Sequence, residues 1–224
     1  MKKNKIFIAC DSTNILKIKK IIRYTSNTEL KIGYKFGLEF LNSRNGRNFV
    51  SKLKNKIIFA DLKLHDIPNT CVSAIKAVKD LKINYLTIHI SSGLQALKAA
   101  KKVSGSIRLV GVSILTSLDN KELKKIGFNK DVKKLVLHQA KLANKAKLDA
   151  IVCSAQEAKI VKKVFKKEII TPGIRLNTNS NDQKRVLTPK QAFINGSDAL
   201  VIGREITKND IKKNIQKLID HLRK

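Results

Sequence analysis

Residues 59–70 read FADLKLHDIPNT, and in this stretch Asp61, Lys63 and Asp66 follow directly on the apolar run IIFA. Charges set at the end of a buried strand are costly unless they are paired or put to use. Side chains alternate along a strand, so Asp61 and Lys63 are expected to share one face. Lys31, at the end of the neighbouring run LKIGY, is expected to reach the same space and complete an alternating array of carboxylates and ammonium groups. Such an array compensates itself before any ligand arrives, so it can survive burial at a strand mouth, where charged groups are more often functional than structural.

A second set of residues points to an anion. The sequence TPGIR (171–175) carries Pro172, Gly173 and Arg175, and VIGRE (201–205) carries Gly203 and Arg204. Glycine lets backbone N–H groups approach an anion, and arginine offers a planar fork matched to phosphate oxygens. Together they predict a phosphorylated substrate.

The elements that must position these groups are short β-branched runs separated by helical periodicity. Eight runs occur, at residues 6–10, 30–34, 57–63, 85–90, 108–115, 149–154, 169–174 and 198–203. Between them apolar residues recur at helical spacing, as in Val72, Ile75, Val78 and Leu81 behind Pro68, and in Ile211, Ile215, Leu218, Ile219 and Leu222. Regular alternation with nearly continuous apolar strands predicts an α/β fold, a single (β/α)8 TIM barrel over residues 1–224. The first strand-to-helix turn, CDSTN, lacks the glycine-rich fingerprint of a dinucleotide site, which disfavours an open doubly wound sheet. In such a barrel the strand ends build the active site, and those of runs seven and eight commonly hold phosphate. The two glycine-arginine motifs fall there. Asp11 and Thr116 join the same rim, as do His89 and Ser154, which are equally readable as packed core residues.

Composition narrows the class further. The net charge of +30 invites a nucleic-acid reading, but 39 of the 47 basic residues are lysines, spread over nearly every helical segment. Specific readers gather arginine and aromatics on one face, so no specific nucleic-acid partner is expected and the excess reads as biased composition. Cys10, Cys71 and Cys153 are odd in number and widely spaced, which predicts free buried thiols in a cytoplasmic protein. The four histidines are scattered, no metal-ligand spacing occurs, and neither metal nor cofactor is expected. No apolar run approaches the roughly 20 residues of a membrane span, and the apolar stretch before Asp11 is too short for a signal peptide.

These motifs carry a resemblance. Through CDS (10–12), LKIGYK (30–35), DLKLHDIPNT (61–70), VSILTS (112–117), VCSAQEA (152–158), TPGIR (171–175), DQKR (182–185) and VIGR (201–204), the chain resembles the orotidine 5′-phosphate decarboxylase family. The Asp-x-Lys-x-x-Asp core is shared with related sugar-phosphate enzymes, so a magnesium-dependent sugar-phosphate lyase is the alternative; Ile67-Pro68-Asn69-Thr70 after it looks like the pyrimidine enzyme. The resemblance implies conversion of orotidine 5′-phosphate to UMP and CO2 without a cofactor, with Lys63 as proton donor and Lys31, Asp61 and Asp66 as its charged network. It implies a homodimer in which Asp66, Ile67 and Thr70 enter the neighbouring subunit's site. Asp11 and Lys31 would contact the ribose, Thr116 the pyrimidine edge, and Pro172, Arg175, Gly203 and Arg204 the phosphate side. Gln183 would bridge base and phosphate from a closing loop within LNTNSNDQKR (176–185).

Overall fold

The structure, a computed structural model, describes residues 5–176 and 187–223. Eight parallel strands, β1 (Lys5–Ala9), β2 (Lys31–Gly37), β3 (Ile57–Leu64), β4 (Tyr85–His89), β5 (Arg108–Val112), β6 (Ala150–Val152), β7 (Glu168–Thr171) and β8 (Ala199–Ile202), pair in chain order. Strand β8 closes on β1 and completes the barrel. Each apolar run read from the sequence lies on one of these strands. Two boundaries matter for the site. Strand β2 runs past Tyr34 to Gly37, and β7 stops at Thr171, leaving Pro172 and Gly173 in the turn beyond it.

Helices follow the strands and bury one face against them. Helix Ile15–Thr25 begins where the Asn14 side chain accepts the Lys17 N–H, satisfying a donor that has no partner within the helix. Helix Pro68–Ala77 starts with a proline, whose fixed φ suits the first turn and whose missing N–H costs nothing there. Its buried face uses Cys71 and Ile75, with Val72 only partly covered, and a short 3-10 turn at Lys79–Leu81 buries Leu81. Helix Ile211–Arg223 buries Ile211, Ile215, Leu218 and Ile219. Cys10, Cys71 and Cys153 are buried and form no disulfide, and burial pushes the Cys10 pKa far upward. Among the described residues no helix is long and apolar enough to cross a membrane.

Alternation along the strands sorts side chains into two cores. Ile6, Ile8, Ile58, Leu86, Ile88 and Ile151 face the helices, whereas Phe7, Phe59, Tyr85, Val110, Ile170 and Val201 fill the barrel interior. The Phe7 ring meets Phe59 and Tyr85 edge-on at centroid distances of 5.0 and 5.1 Å. Phe7 pairs in register with Gly33, where a Cβ would stand 2.7 Å from the ring. Only glycine leaves room for that phenyl group.

Below this aromatic layer, at the N-terminal ends of the strands, lies a compact polar cluster. Glu168 accepts from Lys5 at 2.5 Å and from Arg108 at 2.9 Å, and the Tyr85 hydroxyl receives Lys5 at 2.7 Å and Arg108 at 3.1 Å. The interior is thereby filled from the bottom through its middle. The space that remains is at the C-terminal mouth, where the charged residues gather.

Candidate active site

Register fixes the first half of the site. On β2, Gly33, Lys35 and Gly37 share the interior face, with Lys35 opposite Ala9 of β1 and Gly37 opposite Asp61 of β3. Lys35 therefore projects between Asp11 and Asp61. Its Nζ lies 3.4 Å from Asp11 Oδ1 and 3.2 Å from Asp61 Oδ2, and Lys63 Nζ lies 2.8 Å from the same Asp61 oxygen. The result is a chain of alternating charge, Asp11, Lys35, Asp61 and Lys63, with no net charge of its own. Its middle is the driest part: the Lys35 and Asp61 side chains are each 12% exposed, against 57% for Asp11 and 35% for Lys63.

Burial opposes the charged forms of both central groups, yet their mutual attraction prevails. Desolvation alone would lower the Lys35 pKa, but Asp61 and Asp11 together raise it. Desolvation would raise the Asp61 pKa, but Lys35 and Lys63 hold it below the usual carboxylate range. At neutral pH the site thus presents an ionised carboxylate beside an ammonium group that faces the cavity.

Lys31 does not belong to this array, which corrects the sequence-based expectation. It opens β2, is exposed, and pairs with Lys5 at the start of β1, at the opposite end of the barrel. Lys35 lies four positions further along the strand, roughly 13 Å at 3.3 Å per residue. The words Lys-Ile-Gly (31–33) and Lys-Phe-Gly (35–37) repeat the same pattern, and only the second ends at the mouth. Because β2 continues to Gly37, Lys35 and not Lys31 reaches the mouth.

The Asp61–Lys63 contact forms, but not through simple alternation. Lys63 has φ 49°, a left-handed conformation rare for a side chain of this size. The β3–β4 pairing slips there: Ala60 pairs with Leu86, yet Leu64 pairs with Ile88. Three residues of β3 consequently face the single residue Thr87. Backbone strain of this kind, about 1–3 kcal/mol, persists where surrounding structure enforces it and clusters at functional sites.

The remaining expected residues separate into three groups. Asp11, Asp61, Lys63, Thr116, Pro172, Arg175, Gly203 and Arg204 line one cavity of about 310 Å³ together with Lys35 and Gly173. Gly173 has φ 74°, so its glycine is needed to turn the chain from β7 into the cavity wall. The buried Arg175 guanidinium is steadied by Glu205, whose Oε1 lies 3.9 Å from Nε and whose Oε2 receives the Leu176 N–H at 3.3 Å. Asp66, Ile67 and Thr70 form the second group: they are exposed, Asp66 and Ile67 on the β3-to-helix connection and Thr70 in the first turn of helix Pro68–Ala77, and they do not line this cavity. The Asp66 carboxylate accepts the neighbouring Ile67 N–H at 2.7 Å, outside the Asp11–Lys35–Asp61–Lys63 array. Gln183 and the rest of 177–186 lie outside the described residues.

Several lining residues escaped the sequence reading. Ala9, Phe59, Val112, Ile114, Leu115, Val152 and Val201 form an apolar wall beside the charges. Their signal was present as interior-facing positions near the strand ends, but apolar residues there are indistinguishable from core until closure leaves a void beside them. Ser154 is buried in the β6 turn, where its N–H donates to Glu157 at 3.0 Å, and His89 packs its ring 5.0 Å from that of His65. Among the described residues no group of three or more histidine, cysteine, aspartate or glutamate side chains could hold a metal ion.

Known proteins resemble this chain over nearly its whole length. Residues 4–217 match the family model described as orotidine 5′-phosphate decarboxylase / HUMPS family. An orotidine 5′-phosphate decarboxylase of Wolbachia pipientis (strain wPip) is 41% identical over 223 residues, covering 96% of this chain and 97% of that protein. One from Ehrlichia chaffeensis is 45% identical over 180 residues, covering 77% and 78%. Among solved structures, orotidine 5′-phosphate decarboxylase from Lactobacillus acidophilus superposes with a TM-score of 0.84 at 30% identity, covering 99% of this chain and 100% of that one. The enzyme from Methanocaldococcus jannaschii, complexed with the inhibitor BMP, has the same fold with a TM-score of 0.78 at 20% identity, over 99% and 100%. An eight-stranded barrel with an Asp-Lys array at its mouth and a family match over nearly its whole length together place this chain in the orotidine 5′-phosphate decarboxylase / HUMPS family.

Proposed function

We propose that the cavity at the barrel mouth binds orotidine 5′-phosphate and releases CO2 from it to give UMP, a step of pyrimidine nucleotide synthesis. The observation that carries this reading is the placement of the Lys63 ammonium beside the Asp61 carboxylate, in one cavity with Arg175, Gly203 and Arg204. The two arginines and the glycine turns suit the phosphate, and the apolar wall suits one face of a pyrimidine ring. The substrate's carboxylate then falls on the charged side.

The chemistry follows from charge. Breaking the bond from C6 to the carboxylate leaves an electron pair on C6, and a nearby ammonium stabilises it before donating a proton. Lys63 fills that role: C6 gains its proton, CO2 departs, and the neutral amine recovers a proton from water. Asp61 faces the departing carboxylate, and two such charges at 4 Å repel by about 4 kcal/mol at an effective dielectric near 20. Loss of CO2 relieves that repulsion. Lys35 keeps Asp61 ionised in the dry centre of the array. Nothing in this sequence of steps draws on a metal or a cofactor, and the assay that tests it is the absorbance change of orotidine 5′-phosphate with EDTA present. Chelator-resistant turnover is expected; a requirement for magnesium would favour a sugar-phosphate lyase.

The active form is a homodimer in a cytosolic setting, with Asp66, Ile67 and Thr70 completing the partner's cavity. Support comes from their exposure, and from the 66% exposure of Ile67, an apolar side chain that a subunit interface would cover. Mixing Lys63→Ala with Asp66→Ala chains tests this, because shared sites regenerate one intact site in each mixed dimer, or about a quarter of full activity for random C2 pairing. Absence of complementation would refute sharing.

A further inference from the structure

The β3 bulge leaves one residue of β4 in an unusual position. Thr87 is 1% exposed, and its hydroxyl serves two partners at once: it accepts the Lys63 backbone N–H at 2.7 Å and donates to Asp61 Oδ1 at 3.1 Å. The other Asp61 oxygen, Oδ2, takes both ammonium groups. Each oxygen of the carboxylate therefore has its own donors, and its plane is held from both sides. Strand β4 pairs with β3 at Leu86 and again at Ile88, so Thr87 stands where the ladder is interrupted and its side chain substitutes for the missing backbone partner.

We propose that Thr87 is a positioning residue for decarboxylation: its single hydroxyl ties the backbone of the proton donor, Lys63, to the carboxylate of Asp61 and sets where the ammonium stands relative to the reacting carbon. The inference rests on the decarboxylase reading above. Thr87 is not among the residues lining the cavity, so it acts through its neighbours. Without the hydroxyl, the left-handed turn at Lys63 loses the bond that holds it, and the carboxylate is free to rotate about Cβ. Valine has the same shape and lacks only that bond.

The test compares wild type with Thr87→Val and Thr87→Ser at saturating and limiting orotidine 5′-phosphate. Thr87→Val should lower kcat about a hundredfold, the usual scale for misplacing a reacting group by an ångström, with KM unchanged because the phosphate grip is remote. Thr87→Ser, which keeps the hydroxyl, should recover most of the rate. A merely structural role would lower the melting temperature of both variants and leave kcat of the folded fraction intact; that result, or a wild-type kcat in Thr87→Val, overturns the proposal. Should the valine variant fail to fold, Thr87→Ser against Thr87→Cys carries the same comparison, since both lack the methyl group and differ in the strength of the donor: a faster serine enzyme supports the proposal and equal rates overturn it. A wild-type protein inert toward orotidine 5′-phosphate would instead strike the decarboxylase reading itself.

Discussion

Replacing Lys35 by methionine keeps an unbranched side chain up to Cε and deletes the terminal ammonium, one charge, from the middle of the array. The loss can be sized from the structure. Lys35 Nζ stands 3.2 Å from Asp61 Oδ2, with both side chains 12% exposed, so solvent screens the pair weakly. Removing one member of a buried pair costs about 3–5 kcal/mol, because the other charge is left without compensation. Lys63, still 2.8 Å from Asp61, offsets part of that, and Asp11 is exposed enough to find water. If about 3 kcal/mol reaches the transition state, at 1.36 kcal/mol per tenfold, kcat/KM falls roughly two orders of magnitude or more. The Asp61 pKa should also climb, since Lys35 is the larger of the two charges holding it down, and the acid limb of the rate profile should move to higher pH. Lys31→Met is the control: Lys31 is exposed at the far end, and such surface changes stay within about 0.5 kcal/mol. Steady-state kinetics of the two variants across pH read this directly. A crippled Lys31→Met beside a competent Lys35→Met would refute the assignment.

The polar cluster at the bottom of the barrel predicts the opposite separation of activity from stability. Glu168 is buried between Lys5 and Arg108, so Glu168→Gln should destabilise the fold by about 3 kcal/mol in chemical denaturation while leaving kcat near wild type. The same cluster sets an alkaline limit. Burial disfavours charged Lys5, but Glu168 and Tyr85 more than offset this and raise its pKa, while burial raises that of Tyr85. Groups with raised native pKa values stabilise fully below their ordinary values, 10.5 for Lys5 and 10.0 for Tyr85, and lose that contribution as pH rises through the raised ones. Stability measured by denaturant titration should accordingly decline above about pH 10, and less steeply in Glu168→Gln. Gly33→Ala sets a Cβ 2.7 Å from the Phe7 ring and should cost about 1–3 kcal/mol as overpacking, seen as a lowered melting temperature.

The fold was legible because its signal is repetitive: eight apolar runs alternating with helical spacing leave little besides a closed parallel barrel, and all eight strands form where those runs lie. The cavity residues Asp11, Asp61, Lys63, Thr116, Arg175 and Arg204 were readable because polar groups at strand ends break an apolar pattern. What failed was the end of β2. The apolar run closes at Tyr34, whereas the strand continues through Lys35 to Gly37 and turns that ammonium toward Asp61. Thr87 was invisible for a different reason. A threonine inside an apolar strand is ordinary, and only the slip in β3–β4 register gives its hydroxyl two partners. Bulges are tertiary facts, set by how two strands meet.

One rate tests the central claim most directly: turnover of orotidine 5′-phosphate by folded Lys63→Ala relative to wild type, followed by absorbance. With the proton donor removed and Asp61 left beside Lys35, the account predicts a loss of at least about a thousandfold, on the scale of a general acid together with its electrostatic stabilisation. A variant that still decarboxylates at the wild-type rate would contradict it.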